Sequence, residues 1–124
     1  MKHTLGKAER LKSKTLFGKL YKEGDSVKKF PLRMVFLKTE HGSKYPVQAG
    51  FSVPKRNFKK AVSRNRIKRL LRETYRKRKE LVYDAVDTPY VFMISYIGKD
   101  EPSYSEVELK MEKLLQAFVE KIHQ

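Results

Sequence analysis

Hydrophobic residues along this chain recur at two spacings, and the changes between them mark the elements. Leu11, Phe17, Leu20 and Tyr21 recur near the helix period, which predicts a helix over residues 8 to 23, stopped by Gly24. LRMVFLKT at 32 to 39 reads as a strand, and EHGSKYP after it as a loop punctuated by Gly42, Ser43 and Pro46. VQAGFSV at 47 to 53 alternates: Val47, Ala49, Phe51 and Val53 face one side, Gln48, Gly50 and Ser52 the other. Two strands joined by a loop suggest a hairpin, in a sheet with one covered face and one open, polar face. Gly50 on the open side leaves room for a ligand backbone, or marks a bulge.

After Pro54 the period returns to that of a helix. Ile67, Leu70, Leu71, Thr74 and Tyr75 share one side, continued by Leu81 and Val82. Arg64, Asn65, Lys68, Arg69, Arg72, Arg76 and Lys79 share the other, with Arg66 on the flank. YVFMISYI at 90 to 97 is nearly continuous in apolar residues and predicts a central strand. Ser103 and Glu106 then make a capping-box pattern, followed by a stripe at Val107, Met111, Leu114, Leu115, Phe118 and Ile122. The order α-β-β-α-β-α predicts an α+β fold: a small sheet with helices packed on one face, of the split βαβ type.

Length changes this picture little. With 124 residues the chain reads as one domain, 1–124, with an ordered core at about 8–122. It has no Cys, no apolar run near the ~18 residues of a membrane span, and no apolar core of a secretory signal within the N-terminal MKHTLGKAERLK. A soluble, cytoplasmic protein is expected.

Charge changes it a great deal. Lys55 to Lys79 holds 13 Lys/Arg against Glu73 alone, so this segment carries +12 of the chain's +15. Ordinary surface helices mix signs and gain from Glu–Lys pairs. Here like charges at 64, 68, 72 and 76 lie four apart, about 6 Å along the axis, comparable to the spacing of successive backbone phosphates. A polyanion offsets such repulsion by releasing its counterions. A membrane surface would need a broad apolar band with no other employment, and strands elsewhere in the chain compete for that band. Nucleic acid is therefore the favoured partner.

Chemistry of an autonomous hydrolase is not visible. His3, His41 and His123 lack metal-ligand spacing, and no G-x-S-x-G, Walker or dinucleotide-binding glycine pattern occurs. The carboxylates form no cluster in sequence from which two-metal catalysis could be assembled. As periodic helix residues, Phe17 and Tyr21 read first as core positions.

SRNRIKRLLR, Ser63 to Arg72, resembles the R-N-R-x-K-R-L-x-R signature of the bacterial ribonuclease P protein component. RLKSKTLFGKLYKEGDSV at 10 to 27 looks like that family's opening helix, and AGFSVPKR at 49 to 56 like the strand that leads into the motif. The resemblance spans about residues 9 to 122. It implies a ribosomal protein S5 domain 2-like fold and a role as the protein subunit of an endonuclease whose RNA is the catalyst. That RNA removes the 5′ leader of precursor tRNA with Mg2+ held mainly by the RNA subunit. It further implies that Arg64, Asn65, Arg66, Lys68, Arg69, Arg72 and Arg76 meet the catalytic RNA. Phe17, Tyr21, Phe51, Ser52, Lys55 and Arg56 would meet the leader, where aromatic stacking beside a basic track suits single-stranded RNA. Core packing and leader contact thus both stand open for Phe17. Asn65 lies near a metal ion only by the same analogy. No catalytic residue, membrane or obligatory protein partner is implied for this chain.

Two positions depart from the family pattern. The strand ISYIGK carries Ser95 and Tyr96 where a basic residue is usual, so leader contact there would need Tyr96 to stack instead. Pro54 removes a backbone donor. The alternatives are a structured-RNA or ribosome-associated protein without a cleavage role, a metal-dependent nuclease acting alone, and a membrane-surface protein.

Overall fold

The computed structural model describes residues 5–124, so His3 lies outside the described residues. After a 3-10 turn at Lys7–Glu9, the elements run α1 (Lys14–Glu23), β1 (Asp25–Lys29), β2 (Leu32–Lys38), β3 (Val47–Ser52), α2 (Ala61–Arg78), α3 (Glu80–Tyr83), β4 (Tyr90–Tyr96) and α4 (Tyr104–Ile122). The α+β class holds, and four strands form the sheet in the order β1-β2-β4-β3.

The first helix is shorter than its pattern. Ser13 caps it, accepting from the Leu16 amide at 3.2 Å. Before the cap, Arg10 bridges to Ala49 and the Leu11 amide donates to the Ala49 carbonyl at 3.0 Å. Leu11 is buried by lying along β3, not by belonging to a helical turn. Gly24 ends α1 as expected, but the need for glycine is spatial. Its φ is −72°, and a Cβ there would lie 2.3 Å from the Leu20 carbonyl oxygen.

The expected hairpin of 32–39 with 47–53 does not form. β2 turns back instead on β1, pairing Val27 with Met34 and Lys28 with Arg33 around the cis Phe30–Pro31 bond. β3 runs parallel to β4, so α2 and α3 are its crossover. No strand is inserted between β3 and β4, and the βαβ unit is therefore not split. DSVKK in β1 has little apolar content, which is why its strand is silent in the hydrophobic pattern.

β4 is central, as its apolar run predicts, and apolar on both faces. On one face Leu32, Met34, Phe36, Val47, Ala49, Phe92 and Ile94 pack against Ile67, Leu71 and Tyr75 of α2 and Met111, Leu114, Leu115 and Phe118 of α4. The Phe118 ring sits 4.7 Å from that of Phe92 and 4.9 Å from that of Phe36. The opposite face carries Val35, Val91 and Met93, covered by Leu11 and Leu20. Helices thus pack on both faces rather than one, because α1 covers part of the side expected to be open.

Candidate nucleic-acid interface

The two sides of α2 have different employment. Ile67, Leu71, Thr74 and Tyr75 are buried, while Asn65, Arg66 and Arg69 are exposed. The helix begins without a side-chain cap and without an acid in its first turn, with Lys59 and Lys60 beside its positive end. Val62, Asn65, Arg66, Lys68, Arg69 and Arg72 line an outward groove of about 500 Å³. Lys68, Arg69 and Arg72 make no ion pair within 4 Å among the described residues, though the charge of Arg69 helps hold the Glu73 carboxyl below its ordinary value, after the hydrogen bond from Arg76.

Other predicted cations are partly engaged. Arg64 donates to the Phe58 and Lys59 carbonyls, both at 2.8 Å, so it also holds the turn before the helix. Arg66 reaches the Pro102 carbonyl at 3.1 Å and Glu101 at 3.4 Å. Arg76 pairs with Glu73 at 2.6 Å. Lys79, placed on the outward face by periodicity, is buried instead, with Nζ 2.6 Å from Glu9. Leu81, placed with the core, is 41% exposed, because α2 ends at Arg78 and α3 starts afresh.

The second candidate surface is the end of the sheet that α1 leaves uncovered. Strand register aligns Lys28, Arg33, Ser95 and Ser52 in one row on the Val35–Met93 face. Four strands at their usual separation make this row about 14 Å long. Ser52 and Ser95 hydroxyls share a hydrogen bond of 2.6 Å. α1 sets Phe17 and Tyr21 along the border. Phe17 is half-buried; it and Met93 occupy the space over Gly50, where an added Cβ would meet the Met93 terminal methyl at 2.8 Å and Phe17 at 3.6 Å. Gly50 therefore serves internal packing, neither a ligand backbone nor a bulge. Tyr21 is 59% exposed. Partial burial pushes its phenol up from the ordinary value, with the charge of Arg33 pulling the other way. Lys55 and Arg56 are exposed in the turn beyond Pro54, at the same end of β3.

Two leader candidates are placed differently. Phe51 lies on the helix-covered face, its ring 5.6 Å from that of Tyr75. Tyr96 is buried on that same face, where its hydroxyl donates to the Asp100 carbonyl, so it is not a stacking platform. Arg33 and Lys28 escaped the sequence reading. Alternation of Arg33 with Leu32 and Met34 was a usable signal for its face, but the register that sets it beside Ser95 was not visible. Among the described residues no group of three His, Asp or Glu converges on a possible metal site, and no helix is long and apolar enough to cross a membrane.

A small α+β sheet carries one guanidinium-lined helix groove and, apart from it, a basic strip bordered by aromatics, the arrangement of a protein that meets polyanions. The family model described as Ribonuclease P matches residues 5–119. The chain is 35% identical over 115 residues to the ribonuclease P protein component of Porphyromonas gingivalis, covering 90% of this chain and 83% of that protein. The ribonuclease P protein of Thermotoga maritima superposes with a TM-score of 0.70 at 25% identity, covering 88% of this chain and 96% of that one. The Staphylococcus aureus protein shares the fold, with a TM-score of 0.71 at 23% identity over 90% of this chain and 96% of its own. The chain belongs to the ribonuclease P protein component family. It is a subunit of a tRNA-processing endoribonuclease whose catalysis rests with the RNA, and that RNA is its partner. A general RNA-binding role without cleavage is not favoured.

Proposed function

We propose that the two surfaces divide the work. The α2 groove docks the catalytic RNA through Asn65, Lys68, Arg69 and Arg72, with Arg64, Arg66 and Arg76 contributing at its edges. Arginine suits this task because its planar fork meets phosphate through two hydrogen bonds. The row Lys28–Arg33–Ser95–Ser52 receives the single-stranded 5′ leader of precursor tRNA, with Phe17 and Tyr21 offering ring faces and Lys55 and Arg56 extending the basic track. Mg2+ belongs to the RNA subunit, and no step assigned to this chain passes through a protein-bound ion. The holoenzyme works in the cytoplasm.

The observation that carries this reading is the adjacency of Arg33 to Ser95 across β2 and β4. The charge missing from the strand after the motif helix is supplied by its neighbour. Reconstituted holoenzyme tests it. Arg33→Glu should weaken binding of precursor tRNA by about tenfold, the scale of one lost charge-assisted contact, and leave mature tRNA within about twofold. Equal losses on both ligands would remove the leader from this strip.

A further inference from the structure

Glu9 is 2% exposed and belongs to neither candidate surface. One carboxylate oxygen accepts from Lys79 Nζ at 2.6 Å and from the Tyr83 hydroxyl at 2.5 Å; the other accepts from the Gly6 amide at 3.2 Å. The Lys79 ammonium also lies over the Tyr83 ring, 5.4 Å from its centroid. The partners are 70 residues apart and join the N-terminal segment to the junction of α2 and α3.

The segment has an unusual path. Leu5 belongs to the core beneath α2 and α4, whereas Leu11 belongs to the opposite core beneath α1. Residues 5 to 11 therefore wrap around the edge of the sheet beside β3. The Ala8 carbonyl accepts from Ser43 at 2.7 Å and Gln48 at 3.2 Å, and Leu11 bonds to Ala49. This covers a strand edge that would otherwise be open. Glu9 is the one buried carboxylate on that path. Two residues after Leu11, Ser13 starts α1, and one turn later comes Phe17. Position along the strap thus sets position along α1.

A buried ion pair is poor evidence of stability for its own sake, because desolvation of two charges offsets much of their attraction. Its surer effect is to disfavour other arrangements, since a strap shifted along β3 would separate two buried opposite charges. We propose that Glu9 and Lys79, with Tyr83, are positioning residues for precursor binding: they pin the strap at one register and so hold Phe17 and Tyr21 along the border of the Arg33–Ser95 row. The proposal rests on the leader reading above.

The test uses holoenzyme reconstituted with the RNA subunit, comparing affinities for precursor and mature tRNA, alongside amide hydrogen exchange of the protein. Wild type is measured first. If it binds both tRNAs equally, the leader reading fails, and the pin is then judged by exchange alone. Glu9→Gln keeps the shape and removes the charge. It should speed exchange of the Leu11 amide at least about tenfold while Leu114 and Leu115 keep their protection. It should lower the precursor preference by roughly fivefold and leave assembly with the RNA within about twofold. The triple variant Glu9→Leu, Lys79→Met, Tyr83→Phe seats the strap with apolar groups and should recover most of both. Where Glu9→Gln does not fold, Tyr83→Phe carries the test, with a loss of about twofold to threefold in preference. Unchanged Leu11 exchange in the folded variant overturns the pin. Faster exchange with unchanged preference overturns the positioning role, as does a triple variant that restores exchange without restoring preference.

Discussion

Two halves of one helix share a composition and differ in almost everything else. From Asn65 to Arg72 the cations of α2 line an open groove, and Lys68, Arg69 and Arg72 have no carboxylate within 4 Å among the described residues. From Glu73 to Lys79 every cation has an internal contact. Arg76 meets Glu73, Arg78 lies 3.9 Å from Glu108 and from Glu112, Lys77 stands over the Tyr104 ring, and Lys79 is buried on Glu9. Charge density alone does not tell an open face from an engaged one; the internal contacts of each cation do. The second half secures the helix to α4 and the N-terminal strap, and the first half is thereby free to bear repulsion that only a polyanion relieves.

The strongest challenge to this contrast is the triple variant Lys68→Ala, Arg69→Ala, Arg72→Ala. Assembly with the RNA subunit should weaken by about three orders of magnitude at low salt, and the log–log salt slope should fall by roughly 2 units. Thermal unfolding of the protein alone should stay put or move slightly upward, because like charges are removed. A variant that assembles normally would place the RNA elsewhere.

Lys79→Ala is the counter-experiment. It removes a cation from the same basic segment, one residue beyond the end of α2, so a purely compositional view predicts a shallower salt slope. The structure predicts an unchanged slope and a loss of about 3 kcal/mol in denaturant unfolding, from a buried carboxylate left unpaired.

The dependence on pH follows from the same pair. Burial by itself would raise the Glu9 carboxyl, but hydrogen bonds from Lys79, Tyr83 and Gly6 and the charge of Lys79 hold it below its ordinary value of 4.5. A folded value below the unfolded one means stabilisation that is complete above about 4.5 and lost as pH falls through the folded value. The stability difference between wild type and Glu9→Gln should therefore be widest near neutrality and narrow in acid. A difference that stays constant down to acid unfolding would show that Glu9 is not charged in the folded protein.

Arg76→Ala should have the smallest effect. Its partner Glu73 lies three residues away in a half-exposed pair, whose attraction solvent largely screens. Its effect on assembly should fall short of that of Arg72→Ala, and equality of the two would extend the open groove into the second half of the helix.

Much of this was legible in one dimension. The apolar stripes of α2 and α4 and the run of β4 are local patterns set by helix and strand periods, and each element appears where its pattern lies. Ser103 caps α4 through the Glu106 amide, as the S-x-x-E spacing foretold. The basic side of α2 and its family signature were likewise written in consecutive residues. Strand pairing was not. β1 pairs with β2, and β3 with β4, through backbone groups that every residue carries, so the partner depends on how chain closure and burial are satisfied together.

The fate of single charges shows the same divide. Periodicity assigns Lys79 to the outward side, and nothing nearby in sequence reveals that Glu9 comes from 70 residues away to bury it. Ser95 stands where the family pattern has a charge, and only the fold sets Arg33 beside it. Residue order alone thus settled where the apolar stripes of α2 and α4 run, where the positive charge is concentrated and which family the chain resembles, because these depend on neighbours a few positions apart. Which cations are spent inside the molecule and which stay unpaired at its surface was settled by three-dimensional packing, because an ion pair needs proximity in space and the chain brings its partners from far along its length.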